Sequence, residues 1–119
     1  MNIQFIKPEV KTGKKYRGKI LRYTLDEERK VFRLYVVLDR EPEIEFMKRF
    51  DVDQNVGSAF ALFCNDMGIY MEDDTVELDE LEGIHVIVKL KKGRNEKLYI
   101  QEILLDVKYY QAQKEHEEE

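Results

Sequence analysis

The sequence has no tryptophan, one cysteine, two prolines and two histidines. Each scarcity closes off a class of chemistry. A lone Cys64 leaves no intramolecular disulfide and no cysteine-built zinc site. Its apolar, helix-like surroundings make it a small core residue rather than a nucleophile. His85 and His116 have no partner at metal-ligand spacing, so no metal is expected. No apolar run approaches the roughly 18 residues of a membrane span. The start, Met1 to Pro8, lacks the basic, apolar and small-residue regions of a signal peptide, so a cytoplasmic location is expected. A phosphate-binding glycine loop, a nucleophile elbow and a Cys/His pair are missing too. Catalysis has no visible seat, and neither enzyme activity nor a cofactor is expected. Basic residues are absent from one long stretch: residues 51–83 hold ten acids and no Lys or Arg. Those acids lack the ordered spacing and glycine of a calcium loop and read as a solvated face.

What is present is one domain's worth of chain, 119 residues with 43% apolar side chains. The net charge of −5 conceals a segregation. Residues 1–50 carry 13 basic and 8 acidic side chains, and residues 84–109 carry 6 and 3. Residues 110–119 carry 1 and 4. The strand-like parts are therefore basic, while the helical part and the tail are acidic. A globally acidic protein can still present a basic face.

Hydrophobic periodicity orders the chain. Residues 1–15 read as a lead-in with some strand character around Ile3–Ile6. Tyr16–Leu25 alternates: Tyr16, Gly18 and Ile20 point inward, and Arg17, Lys19, Leu21 and Tyr23 point outward. Gly18 inside a strand suggests a bulge or sharp bend. Val31–Leu38 alternates with Phe32, Leu34, Val36 and Leu38 inward. Residues 39–43, with Pro42, turn the chain into a third strand, Ile44–Phe50. The period then becomes helical, with Val56, Phe60, Phe63 and Met67 as a stripe that Ala59 and Leu62 widen. Asn55 or Ser58 can cap its start, and Gly68-Ile69 is a helix stop with an apolar anchor. Leu78–Gly83 is a short helical turn. His85–Leu90 and Leu98–Ile103 form a closing hairpin around a basic, glycine-containing loop.

Several strands, one helix and a final hairpin is the order of an all-β fold, a small five-stranded Greek-key OB-like barrel with one α-helix between strands 3 and 4. The barrel is expected over residues 1–110, with residues 111–119 an acidic, disordered tail.

At this level the residues resemble a family. Ser58-Ala59-Phe60-Ala61-Leu62-Phe63-Cys64-Asn65-Asp66-Met67-Gly68-Ile69 is similar to the helix with a terminal Gly-Ile pair in phage-type single-stranded DNA-binding proteins. Asp79-Glu80-Leu81-Glu82-Gly83 resembles their acidic turn before the fourth strand. Val86-Ile87-Val88-Lys89 and Tyr99-Ile100-Gln101-Glu102-Ile103 resemble their closing hairpin, and Tyr16-Arg17-Gly18-Lys19-Ile20 their first strand. The likeness spans residues 16–105. It implies single-stranded DNA binding in the replication or recombination of a phage or mobile element. Three features depart: tryptophan, a frequent stacking residue, is missing; the charge balance is acidic; and the C-terminus, acidic like the tails of bacterial single-stranded DNA-binding proteins, lacks the apolar tip by which those tails recruit partners.

Single-strand binding needs cations that track phosphates and flat side chains that stack on bases. The outward positions of the first three strands supply Arg17, Lys19, Tyr23, Arg33, Tyr35 and Arg49, and the last hairpin adds Lys89, Lys91, Lys92 and Arg94. OB-type barrels bind across strands 2 and 3 and the flanking loops. Arg33, Tyr35 and Arg49 are therefore central, with Lys91, Lys92 and Arg94 as a loop clamp. Any one of these is equally an ordinary solvated strand residue. Phe50 falls on the core side with Ile44 and Phe46. Tyr109 and Tyr110 can pack on the barrel, stack on a base or form a subunit contact. A rival reading is a protein-interaction or scaffold module that uses the acidic helix side; a third is RNA binding. A homo-oligomer is compatible with each reading.

Overall fold

The computed structural model describes residues 1–5 and 9–117, the last two by backbone alone. Five strands form one antiparallel sheet: β1 (Lys15–Asp26), β2 (Val31–Leu38), β3 (Glu41–Asp51), β4 (His85–Lys92) and β5 (Leu98–Leu105). Their order in the sheet is β3-β2-β1-β4-β5. The two edge strands, β3 and β5, come alongside each other without a hydrogen-bonded ladder, so the sheet curls round its inner face. Helix α1 (Ala59–Asp66) and a 3₁₀ turn (Leu78–Leu81) lie between β3 and β4, and helix α2 (Val107–Glu117) follows β5. Residues 1–5 have no regular structure, so Ile3–Phe5 do not form the expected strand, and Ile6 lies outside the described residues. No helix among the described residues is long and apolar enough to cross a membrane.

The alternation of β1 breaks where it matters most for the site. Ile20 pairs with Val36 and Arg22 with Tyr35, so Leu21 is a bulge. Beyond it the faces swap: Arg22 points outward and Tyr23 turns inward, stacked on Phe32 with ring centroids 5.6 Å apart. The irregularity thus falls at Leu21, not at Gly18. The glycine has another cause, because a Cβ there would meet the Val37 carbonyl oxygen at 2.5 Å. Pro42 is not in a turn outside the sheet. It sits in a second bulge, inside edge strand β3, where Leu38 pairs with Glu41 and Val37 with Glu45.

Phe32, Leu34, Val36 and Leu38 of β2 are fully buried and meet Val86, Val88 and Leu90 of β4 in one core with Phe60, Phe63, Cys64 and Met67. Phe32, Phe50, Phe60 and Phe63 form an aromatic cluster with neighbouring centroids 4.8–6.5 Å apart. Phe50 is accordingly a core residue. The Ser58 hydroxyl caps α1 by accepting from Ala61 N–H at 3.1 Å. Gly68, at φ +79°, ends the last turn, and Ile69 is buried. Val56 precedes the helix and is 64% exposed, and Leu62 is 52% exposed; neither joins the buried stripe.

The single expected helix is two. Helix α2 runs through most of the segment that composition marks as a disordered tail. Asp106, 1% exposed, starts it by accepting from Tyr109 N–H at 3.2 Å. Tyr109 stacks on His85 with centroids 3.6 Å apart, and the Tyr110 hydroxyl accepts from His85 N–H at 3.0 Å. Both tyrosines therefore pack against β4.

Candidate nucleic-acid interface

The outer face of β2 and β3 carries the candidate site because the strict alternation of β2 leaves Arg33 and Tyr35 on the side opposite its buried residues. Register then brings their partners. Arg33 lies directly opposite Arg49, and Tyr35 opposite Met47 on one side and Arg22 on the other. Like charges opposite each other across an antiparallel pair are destabilising. Arg49 reaches Asp51 at 3.6 Å. Arg33 makes no ion pair among the described residues.

Tyr35 is held by a stack. The Arg22 guanidinium lies 3.8 Å from its ring centroid, and Glu45 fixes that guanidinium with two contacts, at 3.0 and 3.4 Å. Glu45 also raises the Arg22 pKa above its ordinary value, so the guanidinium stays charged. The arrangement covers one face of the phenol ring. Beside it lies a cavity of about 270 Å³ lined by Arg33, Tyr35, Glu45, Met47, Lys97, Leu98 and Tyr99. A larger one, about 620 Å³, follows the line where β3 meets the β4–β5 loop, and Lys92, Lys97, Glu45 and Phe46 are among its walls. The two cavities share Glu45, Lys97 and Leu98. Together they form one groove across the sheet's open seam.

Of the expected loop cations, Lys92 lines this groove from the end of β4, where Lys91 and Lys92 pair with Tyr99 and Leu98 instead of lying in the loop. Lys91 and Arg94 are exposed but line neither cavity. Lys48, on the core-facing side of β3 opposite Leu34, places its ammonium 5.2 Å from the Phe50 centroid. Its pKa is lowered, first by burial and then by the charge of Lys91.

The ten candidates do not form one patch. Arg33, Tyr35 and Arg49 share the outer β2–β3 face, while Lys91 and Lys92 at the end of β4 and Arg94 in the β4–β5 connection belong to the closing hairpin. Arg17, Lys19 and Lys89 lie on β1 and β4 instead. There Arg17 is 3.5 Å from buried Asp106, Lys89 is 4.0 Å from Glu102, and Lys19 pairs in register with His85. Tyr23 is not outward-facing. Its hydroxyl donates to Asp79 at 2.6 Å, on the acidic side, and this bond together with burial pushes its pKa up to about 12. The sequence matches no protein-family model and no curated protein. The site is defined by its geometry alone. That geometry adds Arg22, Lys97 and Tyr99. Lys97 was readable in the sequence as a fourth cation of the Lys91–Arg94 loop; Arg22 was hidden by the Leu21 bulge.

Proposed function

We propose that this chain is an OB-like Greek-key barrel that binds single-stranded DNA without sequence preference, in the cytoplasm, during replication or recombination of a phage or mobile element. The β3-β2-β1-β4-β5 order and the approach of β3 to β5 support the barrel reading. One observation carries the binding reading: Arg33 and Arg49 face each other beside a pre-stacked Tyr35, at the edge of a groove walled by Lys92 and Lys97. The cost of opposing two guanidiniums is offset when a phosphate lies between them. A base then stacks on Tyr35 from the cavity that the ring lines, which contributes roughly 1–3 kcal/mol. Lys91, Lys92, Arg94 and Lys97 follow the adjoining phosphates. No bond is made or broken. The element and its replication or recombination role are carried by the family resemblance rather than by the geometry.

The expected result is tight binding of oligo-dT at low salt and steep loss of affinity as salt rises. Arg33→Glu combined with Tyr35→Ala weakens that binding without changing the unfolding midpoint. Failure of both oligo-dT and oligo-U to bind at low salt would exclude nucleic acid and leave the scaffold reading, which the apolar exposure of Val56 and Leu62 on the acidic side favours. Preference for oligo-U would move the proposal to RNA.

A further inference from the structure

We propose that the outer side of α1 and the turn after it dock a cationic, amphipathic peptide segment of a protein partner, independently of the nucleic-acid reading. Val56 and Leu62, 64% and 52% exposed, line one cavity there, and Met71 on the turn is 43% exposed. Clustered exposed apolar side chains rimmed by polar ones mark interaction surfaces.

The surface is shaped in advance. One cavity of about 320 Å³ and another of about 390 Å³ share Ala61, Tyr70 and Asp74 as a common saddle. Small Ala61 leaves the helix surface low at that point. The Tyr70 hydroxyl donates to Asp74 at 3.1 Å, which holds the ring in one orientation. A bridge between Tyr70 and Val76 and the Met71 N–H to Thr75 O bond, 2.8 Å, close the turn beneath it. Two adjacent cavities suit two apolar anchors about one helical turn apart on a docking segment.

Charge selects the occupant. The cavities are lined by Asp53 and Asp74 and by no Lys or Arg. The whole stretch of residues 51–83 carries ten acids and no base. A phosphate backbone is repelled from such a surface, and so is an acidic peptide. A segment that presents apolar anchors flanked by Lys or Arg is attracted and is steered in quickly.

The probe is a short fluorescein-labelled peptide with two leucines one helical turn apart in a lysine background. The control is oligolysine of equal charge. Anisotropy with the full chain should show saturable binding of the leucine peptide, with oligolysine, which lacks both anchors, bound at least about tenfold more weakly. Leu62→Ser with Val56→Ser should weaken the leucine peptide by a similar factor and leave oligo-dT binding and the unfolding midpoint unchanged. Asp53→Asn with Asp74→Asn provides a second variant with the apolar surface intact, and it should also weaken binding. Equal binding of oligolysine, or unchanged affinity in both double variants, overturns the proposal. So does concentration-dependent dimerisation abolished by Leu62→Ser, because the occupant is then a second copy of this chain.

Discussion

Arg22 and Tyr23 take opposite faces as any strand neighbours do, and the Leu21 bulge decides which of them faces outward. Arg22 stacks on Tyr35 at the groove, while Tyr23 bonds Asp79 across the core's edge. Tyr23 supplies a pH-dependent term whose sign follows from its direction of shift. An ordinary tyrosine loses its proton near 10.0, and Tyr23 keeps it to about 12 because it donates to a carboxylate. The folded protein therefore holds a proton that the unfolded chain has lost. This contribution to stability is complete below the unfolded pKa and disappears as pH rises through the folded one. Urea midpoints compared between the natural chain and Tyr23→Phe should diverge below pH 10 and converge toward pH 12. A constant difference across that range would show that the Asp79 bond has no share in the titration.

Two elements have junctions that carry more than their own weight. On β1, Gly18 lets the strand lie against β2 where any Cβ would strike the Val37 carbonyl oxygen. Because the obstructing atom is backbone, Gly18→Ala should cost about 1–3 kcal/mol, the range for overpacking, read as a lowered urea midpoint. The second junction is Asp106 between β5 and α2. It caps the helix, pairs with Arg17 and places Tyr109 on His85. Asp106→Ala should cost about 1–2 kcal/mol, as a lost helix cap does. It should also speed amide exchange throughout residues 107–115 without affecting the core strands. Equal exchange in both proteins would mean that the tyrosine packing, rather than the cap, holds α2.

At the scale of the whole molecule the charges separate by segment. Lys91, Lys92, Arg94 and Lys97 make the end of the β4–β5 hairpin basic, and residues 51–83 around α1 hold acids and no base. Strands β2 and β3 hold Arg33, Lys48 and Arg49 against Glu41, Glu43, Glu45 and Asp51. Steep salt dependence in a protein of net charge −5 would follow from local cations alone. Removing one phosphate-tracking cation, Lys91→Ala, should lower the slope of log affinity against log salt by about 0.7, the single-strand value per contact. Neutralising Glu72 and Asp73 on the far side should leave the slope unchanged. If both changes alter the slope equally, the binding field is global and the named groove is not the seat of binding.

Local pattern was enough for the five strands, for α1 with its Gly68 stop and a cap at Asn55 or Ser58, and for the inward residues of β2, because each depends on periodicity or on one residue's backbone preference; the structure chose Ser58. The basic strands and acidic helix segment were equally open to counting. Three matters belonged to tertiary structure. Bulges at Leu21 and Pro42 reset alternation, and a bulge depends on what two strands do together. Helix α2 forms in a segment of low hydropathy because Asp106, Tyr109 and Tyr110 find partners on β1 and β4, far away in sequence. The groove exists only where β3 meets β5 and its loop, so Arg22, Lys97 and Tyr99 could join Arg33 and Tyr35 only after the sheet had curled. The order of charges along the chain determined that the strand-bearing segments are basic and the helix segment acidic. Register and sheet curvature decided which side chains stand together on each.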